Sequence, residues 1–242
     1  MTRTARVSIL LVAAIAIVVV LSLGTGSAGL SPLSTIDAAF GRGERVDVMI
    51  VQQWRLPRAV AAIVFGAALA LAGSLMQNAT RNPLGSPDVI GFDTGAFTGA
   101  LVAGIVLGGA FASVTVGALL GGLLAAFIVF VIARLRGSGA FRLIIVGIAM
   151  SAFLASLNTW IILAADVKVA MSASSWALGS LNDVSWTRLV PAAVVIACCA
   201  LPVVVLIRPL QVLALGDPLA RGLGVNPGVV RVLATVLAVL LS

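Results

Sequence analysis

Arg55 and Arg58 bracket Leu56-Pro57 at the head of a long apolar run, and few other side chains in this sequence are as well placed to do chemistry. A guanidinium is always charged and carries five N–H donors in a fixed fork. Two of them at a membrane edge suit either lipid headgroups or the carboxylates of a partner protein. Catalytic chemistry is harder to assemble. The chain has no histidine, the commonest acid–base catalyst and a common metal ligand. Its single lysine, Lys168, lies outside any Gly-rich phosphate loop, which rules out a Walker-type ATP site. Cys198 and Cys199 are adjacent within an apolar run; helical neighbours point apart, so packed thiols are expected and not a disulfide or metal pair. An enzyme is not expected.

The elements that position these residues follow from composition. The chain is 61% hydrophobic and 10% charged, with a mean hydropathy of +1.21. A soluble fold of 242 residues cannot bury that much apolar surface, so most of it must face lipid. The runs are continuously apolar and do not alternate, which argues for helices and against a transmembrane barrel. The expectation is an all-α, polytopic transmembrane bundle of six to seven spans at ~20 residues each. The spans are placed at Val7–Leu23, Pro57–Gln77, Val89–Gly108, Ala112–Ala133, Leu143–Ala165 and Leu189–Ile207, with a shorter run from Val229 to Ser242. The first is read as a retained span and not a cleaved signal peptide. The net charge of +7 reads as loop arginines beside headgroups, and nucleic acid is not an expected partner. An N-terminus in the cytoplasm puts nine arginines inside against six cations outside, in the direction of the positive-inside rule.

Helix punctuation is legible. Asn82-Pro83, Ser86-Pro87, Asp217-Pro218 and Asn226-Pro227 each offer a capping side chain followed by proline at the first helical position. Pro57 is expected to hold Leu56 extended, and Pro202 to kink the sixth span. Gly91, Gly95 and Gly99 share a helix face, and Gly117 and Gly121 repeat the spacing, a pattern that lets helix backbones approach closely in lipid. Asp93 is an ionisable group inside a span, a functional candidate, but close enough to a helix N-terminus for the dipole to favour an anion. Ser151, Asn158 and Thr159 give the fifth span a weakly polar stripe, which suits either a ligand pathway or interhelical hydrogen bonds. Leu213–Gly228, LALGDPLARGLGVNPG, reads as a short capped helix with Leu215, Leu219 and Leu223 on one side. Spacing alone leaves open whether it docks a partner or is an ordinary structured loop.

Three motifs in order resemble the permease subunits of the FecCD/BtuC-like family, the type II ABC importers for iron-siderophore, haem or cobalamin. They are Trp54–Gly95 with its RLPR and paired Asn/Ser-Pro turns, Trp176–Trp186 (WALGSLNDVSW), and LGDxxAxxLGV filled by Leu215, Gly216, Asp217, Ala220, Leu223, Gly224 and Val225. The resemblance implies that the chain is a non-catalytic permease domain over 1–242, with a cytoplasmic coupling segment at 209–228. It implies a bacterial inner-membrane location, a homo- or heterodimer, and an extracytoplasmic substrate-binding protein met by Arg55 and Arg58. It also implies a cytosolic ABC ATPase dimer met by Leu215, Gly216, Asp217, Ala220, Arg221, Leu223 and Gly224. This chain would bind no cofactor or metal; ATP and Mg would belong to the ATPase.

The resemblance places the ligand pathway near the fifth span, with Ser151, Asn158 and Thr159 as lining candidates and Ser138 in an inner gate. The family has ten spans, so this chain is expected to be truncated in its seventh. An ion-coupled secondary transporter or channel is the alternative; it would need an intramembrane charge relay, for which Asp93 alone qualifies.

Overall fold

The computed structural model describes residues 3–25, 29–107, 111–135, 140–165 and 179–242. Every regular element among them is helical. In chain order they are α1 (Arg3–Gly24), α2 (Pro32–Ala39), α3 (Arg45–Met49), a π-helical segment (Ile50–Arg55), α4 (Leu56–Thr80) and α5 (Pro87–Ile90). Then come α6 (Phe92–Val106), α7 (Phe111–Leu135), α8 (Ala140–Ala164), α9 (Trp186–Ala214), α10 (Asp217–Gly222) and α11 (Pro227–Leu241). Five helical stretches are long and apolar enough to cross a membrane: Arg3–Gly24, Arg45–Thr80, Ala112–Ala133, Arg142–Ala164 and Trp186–Ala214. Phe92–Val106 and Pro227–Leu241 are apolar but shorter, at 15 residues each or ~22 Å. The all-α transmembrane architecture expected from the sequence is therefore present.

The chain divides into two compact units. The first comprises Met1–Gly66 and Leu181–Val194. Within it α1 buries no residue, consistent with a helix whose surroundings are lipid. Ser31 caps α2, accepting from the Ser34 N–H at 3.1 Å, with Pro32 at the first helical position. Ser31-Pro32 thus has the cap-then-proline form of the pairs named above. Ala38, Val51, Pro57 and Leu189 are buried.

The second unit comprises Ala67–Ser180 and Val195–Ser242. Its core runs from Ala72, Met76 and Ala79 of α4 through Val129 of α7 and Leu213 of α9 to Ala220, Ala234 and Ala238. The most intimate pair is α6 with α7, and the glycine ridge explains it. A Cβ added at Gly99 would overlap the Gly117 carbonyl and crowd the Gly121 Cα. Only glycine permits that approach.

Four local expectations are corrected. The third span is not one helix, because Gly91, at φ +88, separates α5 from α6, and a Cβ there would meet Ser151 Oγ at 2.8 Å. Leu56 is helical (φ −63, ψ −47) and not extended, and the second span begins at Arg45. The π segment reconciles this with Pro57, since the wide turn opens the hydrogen-bond ladder where the ring would otherwise clash. Gly216, and not Asp217, caps α10. Asn82 caps no helix; its Oδ1 accepts from the Leu84 N–H at 2.9 Å in a local turn.

Candidate docking and coupling sites

The first site grows from the π segment. Leu56 N–H donates back to Val51 O, five residues away, and Pro57 has no N–H to give. The Gln52 carbonyl thereby loses both partners that a regular helix would offer. Trp186 supplies one: its indole Nε1–H donates to Gln52 O at 2.8 Å. Arg58 holds the loop leading to Trp186, donating from Nε to Leu181 O and from Nη2 to Asn182 O, both at 3.2 Å. Arg55 donates from Nη1 to Leu23 O in the last turn of α1 at 2.6 Å, where a cation satisfies an orphan carbonyl. Arg58 remains exposed and Arg55 is half-buried. The two arginines thus organise neighbouring backbone, and Arg58 is the more accessible.

The second site is α10. Gly216 enters it at φ +106 and ψ 153, a conformation open essentially to glycine alone. Gly224, at φ +79, ends it: Gly224 N–H donates to Arg221 O and Val225 N–H to Ala220 O, a Schellman cap. Between these glycines Ala220 is fully buried and Arg221 is exposed, while Leu219 and Leu223, like Leu215 just before Gly216, are each about 60% exposed. One side of the segment is seated in the core and the other leaves leucine exposed.

Asp217, freed from capping, is gripped by Arg231, whose Nη1 and Nη2 donate to Oδ2 and Oδ1 at 2.9 and 2.8 Å. Arg81 adds a contact at 3.1 Å. The hydrogen bond from Arg231 holds the Asp217 carboxyl below the usual carboxylate range, against a partial opposing effect of burial, with the charges of Arg231, Arg81 and Arg221 adding to the shift. Sequence reading counted Arg81 and Arg231 only among the nine arginines on the cytoplasmic side. Their meeting on Asp217 is a tertiary fact with no local signal.

The polar residues of α8 divide. Asn158 is buried, and its Nδ2 donates to Thr94 O of α6 at 3.3 Å, an interhelical hydrogen bond. Ser151 is half-buried against Gly91 and donates to Gly147 O. Thr159 is exposed, its hydroxyl bonded to Ala155 O of its own helix. The arrangement does not bring these three onto one open surface. Asp93 is exposed in the first turn of α6. Ser138, Trp176 and Lys168 lie outside the described residues.

Comparison with known proteins places the whole chain in context. Residues 14–242 match the FecCD transport family. The ferric enterobactin transport system permease protein FepG of Escherichia coli is 38% identical over 97% of this chain and 71% of its own length. The vitamin B12 import system permease protein BtuC of Salmonella paratyphi A is 34% identical over 84% of this chain and 60% of its own. A metal-chelate type ABC transporter in an inward-facing conformation superposes with a TM-score of 0.81 at 26% identity, covering 98% of this chain and 75% of that one. By sequence and by helical architecture, this chain is a membrane-spanning member of the FecCD transport family.

Proposed function

We propose that this chain is the permease subunit of an ATP-driven importer that carries ferric siderophores into a bacterial cytoplasm. It lies in the inner membrane with its N-terminus inside, pairs with a second permease copy or a paralogue, and makes and breaks no covalent bond. A substrate-binding protein docks at Arg58 and, once the half-buried side chain is drawn outward, at Arg55. Charges there steer and orient the partner more than they tighten it. An ATPase dimer, which holds ATP and Mg, docks on α10. Closure of that dimer displaces α10 and alternates access to the pathway between permeases, a linkage between two distant sites. Thr159, exposed on α8, is the pathway candidate that the geometry leaves available.

The observation that carries this reading is the outward leucine face of α10 on a segment locked by Gly216 and Gly224. The resemblance to FepG supports the siderophore class. The test is iron-limited growth of a strain lacking the gene, supplied with single ferric siderophores and complemented by this chain. Restored growth on one siderophore is expected, and growth unaffected by the deletion on every siderophore would defeat the substrate class. Independently, reversing both Arg55 and Arg58 to Glu is expected to weaken capture of the binding protein by about tenfold, mostly through the on-rate and most strongly at low salt. Capture that is unchanged in surface-plasmon measurements would remove the docking role.

A further inference from the structure

Arg231 ties its own helix to the one before it and to a third that lies 152 residues away in sequence. It belongs to the second turn of α11, grips both carboxylate oxygens of Asp217 in α10, and donates from Nε to Ala79 O in the last turn of α4 at 3.2 Å. Its side chain is 11% exposed. The guanidinium is planar and rigid, so a shift of Asp217 also pulls on the Ala79 carbonyl. Arg81 reinforces the knot from the residue just past α4. It has the one positive φ among described non-glycine residues, +52, a conformation sparsely populated for such a residue. A Cβ at Gly216 would lie 3.7 Å from Arg81 Nη1, so the turn into α10 also abuts this group. Ala220 seats the same helix in the core that holds Ala79 and Val230.

We propose that Arg231 is the positioning residue through which movement of α10 leaves that helix: it binds α10, the end of α4 and the start of α11 into one mechanical body. Displacement of α10 is then delivered to the two membrane helices instead of being absorbed by the turns at Gly216 and Gly224. This rests on the coupling role proposed above and names its route.

The test is hydrogen exchange on the complex of this chain with its ATPase subunit, with and without ATP and vanadate. In the wild-type complex, nucleotide is expected to change protection in α10, the last turns of α4 and the first turns of α11 together. In Arg231→Ala the change in α4 and α11 is expected to fall about fivefold or more, while that in α10 persists. Arg231→Lys keeps the charge but lacks the fork, and it is expected to show the same loss in α4; it also decides the matter if the alanine variant does not assemble. A merely structural role would lower protection equally with and without nucleotide, leaving the difference unmoved. An unmoved difference in the variants overturns the proposal and leaves the coupling role standing. Failure of the wild-type chain to bind the ATPase subunit, or no nucleotide effect in α10, overturns the coupling role itself.

Discussion

At the scale of single residues, Asp217 shows how far sequence reasoning reaches. An Asp-Pro pair reads as a helix cap, and the helix is there, but Gly216 caps it and the carboxylate turns to Arg231 and Arg81 instead. Local capping chemistry is visible in the sequence; a partner on another helix is not. Because its folded-state pKa is depressed, Asp217 contributes stability that is complete above its unfolded value and is lost as pH falls through the lower folded one. The stability difference between wild type and Asp217→Asn is therefore expected to stay flat from pH 8 to about 5. It should shrink only below about pH 4, where an unperturbed aspartate protonates. Thermal unfolding in detergent across that range checks it; a difference that fades between pH 7 and 5 would contradict the assignment. Trp186 and Gln52 teach the same lesson, since the carbonyl that needs the indole exists only because a π turn precedes a proline.

At the scale of elements, the glycine ridge was readable and its consequence is physical. Gly95, Gly99, Gly117 and Gly121 meet across α6 and α7, as four-residue spacing in lipid demands. Gly91 fits the same spacing yet breaks the span, because periodicity reports which face a residue lies on and not its φ. Substituting Gly99 by Val must push two backbones apart, at a cost of about 1–3 kcal/mol or more. A clear fall in thermal midpoint is expected for Gly99→Val and little change for Gly66→Ala, where an added Cβ meets nothing within 4 Å. Equal behaviour of the two variants would argue against close packing as the reason for the ridge. The same reasoning explains the polar stripe of α8: helical spacing grouped Ser151, Asn158 and Thr159, but tertiary packing turned Asn158 onto α6 and left Thr159 exposed.

At the scale of the whole molecule, composition alone established a helical membrane protein, and three motifs in order pointed to the family that comparison then showed. What composition could not supply is where a partner's surface would begin. Leu219, about 60% exposed in the middle of α10, is the residue on which that question turns. A buried anchor of this kind at an interface contributes about 2 kcal/mol or more, so Leu219→Asp is expected to weaken retention of the ATPase subunit by at least about 30-fold. Quantitative co-purification against a dilution series measures it. Retention at the wild-type level would place the contact elsewhere on the chain.

The π segment before Arg55 also sets a phase. A helix advances about 100° per residue, so one residue more or fewer in Ile50–Arg55 rotates everything N-terminal to it by roughly that angle about the axis of α4. Deleting a residue there would leave a sound helix and an intact RLPR. It would also swing Val51 out of its buried seat and carry the Gln52 carbonyl away from Trp186. The segment works as a dial: its residue count, more than its residue types, fixes the bearing of the arginine pair against the chain around it.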